Sequence, residues 1–325
     1  MAEKKHSAFA LLEILTTYTD EDHILTAKQI MELLETKYQL KIERRTLYSN
    51  VEILEQAGYV ISKYDDNGKG YFLEQKQFDK AEILLLCNAI HASHFISREQ
   101  SNKLIKKLLS TQSKYEAADF MGDIYLHNTL KTPNREILYN IGLISEAVRE
   151  GKMMQFAYMK YNADKKMVPR REDPYIVEPR YIVYQDSRPY LIATNPKYYN
   201  LVHYRLDRIS QAVLLDEKVK KLPEDTDPYV YASNKLFMYA GEMIPVTFLC
   251  DEQILDQMID IFGREVSVSK RDDGRFILYV RTSEKGALYL AQQYLDSLQI
   301  VEPADLKEKL ITQLEKTLSL YRKSE

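Results

Sequence analysis

The N-terminal part of the chain contains the run Lys41-Ile-Glu-Arg-Arg-Thr-Leu-Tyr-Ser-Asn-Val-Glu-Ile-Leu-Glu-Gln-Ala-Gly58. Leu47, Val51 and Leu54 recur at the spacing of one face of an α-helix, which predicts a helix over residues 43–57. Gly58 suits the position just past a helix end, where glycine adopts a positive φ at little cost. The run therefore predicts an amphipathic helix whose polar side is directed away from a core.

The patterns on either side of this helix are typical of a winged helix-turn-helix. Residues 7–18 and 26–38 show helical periodicity, and Thr26 suits an N-cap. Residues 59–73 then alternate between apolar and polar, with Asn67-Gly68 as a hairpin signal. We assign this order of three helices and a wing to a DNA-binding domain over residues 1–75.

Polar residues on the third helix and on the wing are candidates for contacts with duplex DNA. An arginine side chain reads a guanine edge with two hydrogen bonds, and an asparagine reads an adenine edge in the same way. A threonine hydroxyl or the start of the helix holds a phosphate. The candidate DNA-binding residues are Arg44, Arg45, Thr46, Tyr48, Ser49, Asn50, Lys63 and Lys69. The alternative is a structural three-helix unit that binds protein.

The charge distribution separates the N-terminal part from the centre of the chain. The chain has 325 residues, enough for two or three domains, and a formal net charge of −3. Residues 1–75 hold 9 basic and 13 acidic residues, a net charge of −4, which argues against strong nonspecific DNA binding. Residues 151–210 hold 11 basic and 6 acidic residues, a net charge of +5. This basic centre points to an anionic partner.

The composition indicates a cytoplasmic globular protein. No run approaches about 18 consecutive apolar residues, so no membrane partner is expected. The N-terminus lacks the apolar run of a signal peptide. Cys87 and Cys250 each lie in an apolar pattern, which predicts two buried thiols in a reducing compartment rather than a disulfide.

The remaining chain divides into a helical connector, a small β-barrel, a linker and an α+β module. Residues 76–150 show helical periodicity. Residues 151–216 switch to a period of two and contain five short strands, which suits a small, strongly bent barrel. A linker is predicted at 217–243, and strands and helices alternate over 244–325. The predicted fold class is therefore α+β and multidomain.

Short motifs along the chain resemble one family of bacterial regulators. Arg44–Gly58 resembles the recognition helix of transcription regulators that carry a WYL domain. The end of the chain, with Ile300-Val-Glu-Pro303, resembles the C-terminal extension domain of that family, so the resemblance covers about residues 5–322. Four further segments follow the order and spacing of the WYL domain: Phe156-Ala-Tyr158, Val177-Glu-Pro179, Arg188-Pro-Tyr-Leu-Ile-Ala193 and His203-Tyr-Arg-Leu-Asp-Arg-Ile209.

One position departs from the family pattern. Pro189-Tyr190-Leu191 stands where the family has its name-giving Trp-Tyr-Leu, and the chain contains no Trp. If that Trp mainly packs, Pro189 changes little. If that Trp shapes the ligand site, the ligand of this chain differs from those of its relatives.

The resemblance implies a small Sm-like β-barrel that senses a ligand, in several relatives a nucleic acid, and controls the N-terminal domain. The residues of this region agree, because aromatic rings stack on bases and Arg or Lys binds phosphates. Arg205 is the first candidate, followed by Tyr190 and His203. The alternative is a solvated basic surface with the tyrosines in the barrel core. The candidate ligand-binding residues are Tyr158, Lys160, Arg180, Tyr190, His203, Arg205 and Arg208.

These patterns predict a ligand-responsive transcription regulator that binds double-stranded operator DNA as a homodimer. Its effector would be a single-stranded nucleic acid or another anion. The alternative is a nucleic-acid-processing enzyme or its accessory subunit. We expect no catalytic residue and no cofactor, because the chain has no Gly-rich phosphate loop and Cys250 has no evident His and acid partners. Cys87, His91 and His94 have zinc-ligand spacing on a helix, but that helix has a core pattern, so no metal is predicted.

Overall fold

A computed structural model describes residues 2–74, 76–123, 131–185, 187–221 and 242–322. Within them the chain forms two compact units, residues 1–135 and 136–325. The architecture is mixed α and β, as predicted, with helices at the N-terminus and a curled sheet in the centre. In the described ranges, no helix is both long and apolar enough to cross a bilayer.

The first unit begins with three helices, a short helical turn and two very short strands. These elements are α1 (Ala2–Tyr18), α2 (Ala27–Tyr38), α3 (Arg44–Gln56), β1 (Ile61–Ser62), α4 (Tyr64–Asn67) and β2 (Phe72–Leu73). Thr26 caps α2, because its hydroxyl accepts from the Gln29 N–H and its own N–H donates to the Gln29 side chain. The helices share one apolar core, whose fully buried members include Leu11, Ile14, Leu15, Ile30, Leu34 and Leu47.

The connection from β1 to β2 differs from the predicted hairpin turn. Residues 64–67 form one helical turn, and Gly68 follows with a φ of 67°. Asn67 Nδ2 donates to the Gly70 carbonyl at 3.0 Å, and Asn67 Oδ1 accepts from the Gly70 N–H at 2.9 Å. Asn67-Gly68 therefore marks a turn, but the Asn67 side chain closes a longer one than a two-residue loop.

Gly70 allows the segment of residues 61–73, the β1–β2 segment, to approach the start of α2. Leu25 and Tyr71 exchange backbone hydrogen bonds of 3.1 and 2.7 Å. A Cβ atom on Gly70 would lie 2.3 Å from the carbonyl oxygen of Leu25. A side chain at position 70 would therefore push the two segments apart.

Three further helices complete the first unit. They are α5 (Lys80–Ala92), α6 (Arg98–Leu109) and α7 (Lys114–Asp123). Their apolar sides enclose a cluster of buried residues that consists of Ile83, Cys87, Ile105, Leu109 and Phe120. The helical pattern predicted for this part of the chain is thus confirmed for the described residues.

The second unit begins with α8 (Ile137–Glu150), which packs on a six-stranded sheet. Its strands are β3 (Lys152–Tyr161), β4 (Met167–Pro169), β5 (Tyr175–Gln185), β6 (Arg188–Thr194), β7 (Leu201–Arg205) and β8 (Ile209–Lys218). The ladders are antiparallel: β3 pairs with β4, β5 and β8, and β6 joins β5 to β7. No ladder joins β7 to β8 over these ranges, so the sheet is a curled half-barrel where the sequence predicts a small, strongly bent barrel.

Polar contacts fix α8 on β8. The Asn140 Nδ2 donates to the Ile209 carbonyl at 2.9 Å. The Glu136 carboxylate accepts from the Ser210 hydroxyl at 3.1 Å and from the Gln211 N–H at 2.8 Å. The sequence pattern groups α8 with the helical connector of residues 76–150, but these contacts place it with the sheet. Helical periodicity alone does not reveal which surface a helix packs against.

The second unit ends in a module of four strands and three helices. The elements are β9 (Met243–Cys250), α9 (Leu255–Phe262), β10 (Ser267–Lys270), β11 (Phe276–Ser283), α10 (Glu284–Gln293), β12 (Leu298–Glu302) and α11 (Ala304–Arg322). The strands are antiparallel in the order β10-β11-β9-β12. One face of this sheet and the helices bury Phe248, Met258, Leu278 and Leu290. The predicted alternation of strands and helices is confirmed, whereas the predicted linker at 217–243 lies mostly outside the described residues.

Candidate functional site

The solvent-facing side of α3 carries most of the predicted DNA-binding residues. Arg44 and Arg45 are exposed in its first turn, and the Tyr48 side chain is 44% exposed one turn later. Thr46 and Ser49 are half-buried beside them. The other side of α3 belongs to the apolar core, so the helix presents one continuous polar face.

Asn50 is not on that face. Its side chain is 1% exposed, and its Nδ2 donates to the Ser7 hydroxyl of α1 at 2.9 Å. Its Oδ1 is buried and has no hydrogen-bond partner among the described residues. The predicted adenine contact of Asn50 is therefore wrong: around the helix axis, position 50 lies about 40° from Leu54 and about 60° from Leu47, which are both buried.

The two predicted cations of the β1–β2 segment differ in their surroundings. Lys63 Nζ lies 2.7 Å from a Glu55 carboxylate oxygen, and this hydrogen bond raises the pKa of Lys63. Lys69 is exposed, and its backbone N–H donates to the Asn67 side chain at 2.7 Å. Lys69 is therefore held at the backbone with its side chain in solvent, whereas the Lys63 charge is offset by Glu55.

A groove of about 650 Å³ lies between α3, the start of α2 and the β1–β2 segment. Positive and negative side chains share its wall, so its electrostatic attraction for a polyanion is partly cancelled. The charged lining residues are Lys28, Arg44, Glu52, Glu55, Lys63, Asp65 and Lys69.

In the second unit, five of the seven predicted ligand-binding residues come together where β7 ends. Tyr190 is the ladder partner of Arg205, and the Tyr190 and His203 ring centroids are 6.1 Å apart. The Tyr158 hydroxyl accepts from the Arg205 backbone N–H at 3.2 Å. Arg208 follows three residues after Arg205, past the end of β7, in the turn of residues 206–208. Residues far apart in sequence thus form one aromatic and basic site.

Asp207 holds the Arg205 guanidinium in one orientation. Arg205 Nε lies 2.9 Å from Asp207 Oδ1, and Arg205 Nη2 lies 2.6 Å from Asp207 Oδ2. The Arg205 side chain is 25% exposed. Burial opposes its charged form, but the hydrogen bonds and charge of Asp207 outweigh burial and raise the pKa of Arg205. The outer edge of the guanidinium, with the Nη1 donors and one Nη2 donor, remains for a ligand.

Aromatic rings line the half-barrel next to this site. The Phe156, Tyr158, Tyr175 and Tyr204 rings contact one another, with centroids 5.1 to 6.4 Å apart. Burial raises the pKa of Tyr204 to about 12 and also raises that of Tyr158. Tyr190 is buried against Ile192. For Tyr204 and Tyr190 this burial favours a packing role over base stacking.

Two basic candidates have other surroundings. Lys160 is exposed on β3, two residues beyond Tyr158. Arg180 is almost fully buried and lies in a separate network, with Nη2 2.8 Å from Glu178 Oε2 and Nε 3.0 Å from Thr194 Oγ1. Its Nη2 also donates to the Lys220 carbonyl at 2.7 Å. Arg180 therefore does not join the site around Arg205, because its strand position directs it to the chain that follows β8.

The sequence did not reveal two ring–guanidinium stacks. The Arg208 guanidinium lies 4.7 Å from the Tyr161 ring centroid, and that of Arg171 lies 3.7 Å from the Tyr175 centroid. Tyr161 and Arg208 are 47 residues apart and meet only because β3 pairs with β8. No local signal in the sequence identifies such a pair.

The cysteines and histidines form no metal centre in the described residues. Both cysteines are buried and unpaired, as predicted, and burial raises the pKa of Cys250 to about 11. No group of three or more His, Cys, Asp or Glu side chains in the described ranges has metal-binding geometry. His94 follows the end of α5, so it does not share a regular helical face with His91.

A family model described as the WYL domain matches residues 140–214 of the chain. Residues 140–214 form a WYL domain. The match covers most of α8 and the curled sheet through β8, and it includes the site around Arg205. In this WYL domain Pro189 is buried on β6 and pairs with Tyr184.

Two solved structures align with the chain at low sequence identity and low TM-score. Proteasome accessory factor B/C (PafBC) of Arthrobacter aurescens is 16% identical over 98% of this chain and 49% of that one, with a TM-score of 0.28. A CRISPR Cas-related protein is 15% identical over 98% of this chain and 86% of that one, with a TM-score of 0.40. The chain thus spans about half the length of PafBC. No curated protein matches the chain.

Proposed function

We propose that the protein is a ligand-responsive transcription regulator that binds duplex DNA as a homodimer. The polar face of α3 is the observation that carries the proposal. Arg44, Arg45 and Tyr48 project from one side of a helix whose other side is core, and the β1–β2 segment follows as a wing. This is the arrangement in which a helix-turn-helix protein places side chains in the major groove.

The low positive charge of the DNA-binding region favours binding to DNA as a dimer. The DNA-binding region has a net charge of −4, and Glu55 offsets one of its wing cations. Nonspecific affinity for DNA depends on the number of phosphates that cations of the protein neutralise. A single protomer is therefore expected to bind DNA weakly. Two copies on a two-fold site double the specific contacts, which is the usual solution for such proteins.

The site at the end of β7 supports the sensing role. Asp207 holds one edge of the Arg205 guanidinium, and the partly exposed side chain has further N–H donors for a ligand. A guanidinium edge matches two oxygens of a phosphate or carboxylate. Arg208 adds a second cation three residues later, and the WYL match includes both. We therefore assign an anionic ligand to this site, with Arg205 as its main contact.

The test combines operator selection with paired variants. A duplex recovered from a random library by the wild-type protein serves as the probe, and its dissociation constant is measured for wild type, Arg45→Ala, Arg205→Ala and the control Lys307→Ala on α11. Arg45→Ala should weaken binding by about 5- to 150-fold, the equivalent of one lost guanine contact of about 1–3 kcal/mol. Lys307→Ala should bind like wild type, because Lys307 lies outside the DNA-binding region.

The response to ligand separates the two halves of the proposal. Arg205→Ala should bind the operator like wild type without effector, and it should lose the change in affinity that a single-stranded oligonucleotide causes in wild type. A third variant, Arg44→Ala, is measured in the same way. If Arg44→Ala and Arg45→Ala both bind the operator as tightly as wild type, the proposed DNA-binding role of α3 is contradicted. The proposal assigns no catalytic step, so cleavage of single-stranded DNA or RNA in the presence of Mg²⁺ would favour the enzyme alternative.

A further inference from the structure

The row of side chains that contains Arg45 continues along α3 to an acidic residue. Seven residues of an α-helix make nearly two full turns, so Glu52 lies about 20° from Arg45 around the helix axis. Ser49 lies between them, about one turn from each. Arg45 and Glu52 are exposed, and Ser49 is half-buried. At about 1.5 Å per residue this row is about 10 Å long, so a helix that lies along the major groove spans about three base pairs with it.

The Glu52 carboxylate has no cation of its own. Glu52 lines the groove between α3 and the β1–β2 segment, together with Arg44, Tyr48 and Lys63. No described residue forms an ion pair with Glu52. The neighbouring acid Glu55, by contrast, has a carboxylate oxygen 2.7 Å from Lys63 Nζ. Glu52 is therefore an exposed, unpaired carboxylate in the middle of the proposed DNA-binding surface.

An unpaired carboxylate at this place opposes binding to most DNA sequences. The phosphates of a duplex repel it, and its desolvation against a base edge without a donor costs further free energy. The N4 amino group of cytosine is a matching donor in the major groove, where it hydrogen-bonds to Glu or Asp. Adenine also has an amino group, but its adjacent N7 is an acceptor and repels a carboxylate. Glu52 thus penalises every duplex except one that places a cytosine opposite it.

We propose that Glu52 is a specificity-determining residue that selects a C·G base pair about three base pairs from the guanine contacted by Arg45. The inference rests on the proposed function, because it adds a sequence preference to the contact between α3 and duplex DNA. Arg45 attracts a guanine, whereas Glu52 excludes base pairs that lack a matching donor. This role also accounts for an acidic side chain on the DNA-binding face of a region whose net charge is already −4.

The experiment compares the base preferences of full-length variants. Wild type, Glu52→Gln, Glu52→Ala, Arg45→Ala and the control Glu308→Gln each select duplexes from a random library, and the bound fraction is sequenced. Glu308 is exposed on α11, so the control makes the same charge change outside the DNA-binding region. Dissociation constants are then measured by fluorescence anisotropy for the wild-type operator and for the three duplexes that differ from it at the selected C·G pair.

Wild type and the control should select a C·G pair at a fixed distance from the guanine that Arg45→Ala no longer selects. Glu52→Ala should lose this preference. Glu52→Gln should prefer adenine at the same position, because a glutamine side chain pairs with adenine through one donor and one acceptor. Wild type should bind its operator at least about 5-fold more tightly than the three single-base variants, and Glu52→Ala should bind all four duplexes within about 2-fold.

The outcomes distinguish this inference from the proposed function. If both Glu52 variants keep the wild-type preference at every base pair, the inference is refuted while the DNA-binding role of α3 stands. The same conclusion follows if both variants bind all duplexes more tightly by one common factor, since Glu52 then repels phosphates and reads no base. If wild type enriches no duplex, or if Arg44→Ala and Arg45→Ala bind DNA as wild type does, the DNA-binding role fails and the inference fails with it.

Discussion

Replacement of Arg180 by methionine should weaken the WYL sheet without changing its affinity for an anionic ligand. Methionine keeps an unbranched stem but removes the guanidinium that lies 2.8 Å from Glu178 Oε2. The Glu178 side chain is 1% exposed and that of Arg180 is 10% exposed. The variant would therefore leave a buried carboxylate without its charged partner.

The magnitude follows from that burial. Breaking a buried ion pair by removing one partner costs about 3–5 kcal/mol, because the remaining charge stays desolvated. Arg180 also donates to Thr194 Oγ1 and to the Lys220 carbonyl, so the variant frees both acceptors. The Lys220 N–H donates to Glu178 Oε1 at 3.2 Å, which makes the chain after β8 part of the same network. We expect the free energy of local unfolding of β5, β6 and residues 219–221 to fall by about 3–5 kcal/mol.

Hydrogen exchange measured by mass spectrometry is the appropriate assay, since a chain of this size need not unfold in one step. Exchange of the amides in β5 and β6 should accelerate by about 10²–10⁴-fold, the equivalent of that free energy at about 1.4 kcal/mol per decade. The double variant Glu178→Gln/Arg180→Met should lose less protection against exchange than Arg180→Met, because it leaves no buried charge unpaired. Lys197→Met, which removes an exposed cation from the turn between β6 and β7, is the control and should change the exchange rates by only a few fold. The reasoning fails if Arg180→Met leaves β5 and β6 as protected as wild type, or if its main effect is weaker ligand binding.

Three further changes test other parts of the structure. Gly70→Ala should reduce thermal stability and operator affinity together, because its Cβ would lie 2.3 Å from the Leu25 oxygen; unchanged values for both would contradict the close approach. The Lys131 ammonium donates to the carbonyls of Ile90 and Ser93 at the end of α5 and to Ser101 Oγ. Lys131→Met should therefore lower the free energy of unfolding of the first unit, measured in urea, by about 2–3 kcal/mol. A loss below about 0.5 kcal/mol would contradict this capping role. Burial alone would raise the pKa of the Asp20 carboxyl, but hydrogen bonds from Ser113 and His23 together outweigh burial and hold this pKa below its usual 3.8. The stabilising contribution of Asp20 is therefore present above about pH 4 and is lost as the pH falls through the folded-state pKa. In a thermal-shift series, the melting temperature of Asp20→Asn should fall less steeply than that of wild type as the pH drops below about 4. An identical dependence of melting temperature on pH in both proteins would contradict this role of Asp20.

The polar face of α3 shows what periodicity could and could not predict. Spacing of apolar residues identified the helix and its buried side, because burial on one face of a helix imposes a period close to 3.6 residues. Arg44, Arg45 and Tyr48 were accordingly placed on the exposed side, where the structure has them. Asn50 was misplaced, since polarity suggested exposure although Ser7 of α1 supplies a buried partner. A partner 43 residues away leaves no local trace in the sequence.

The candidate ligand site shows the same limit on a larger scale. Residues near each other in sequence, such as Arg205 and Arg208, could be grouped from the motif that contains them. Arg180 was grouped with them on residue type, but strand direction and register turn it towards Glu178 and Lys220. A shift of one residue along a strand moves a side chain to the other face of the sheet.

The order of helices and strands, the amphipathic side of α3 and the basic character of the central region could all be predicted from the sequence. These properties depend on local spacing and composition, which a single chain displays directly. The pairing of individual charges could not be predicted in this way, because it depends on the folded arrangement of the side chains. Asp207 and Glu178 pair with Arg205 and Arg180, whereas the basic residues within 160–171 form no ion pair with a described carboxylate. Ion pairing depends on distances of a few ångström between side chains brought together by β-ladders, and those distances exist only once the chain has folded.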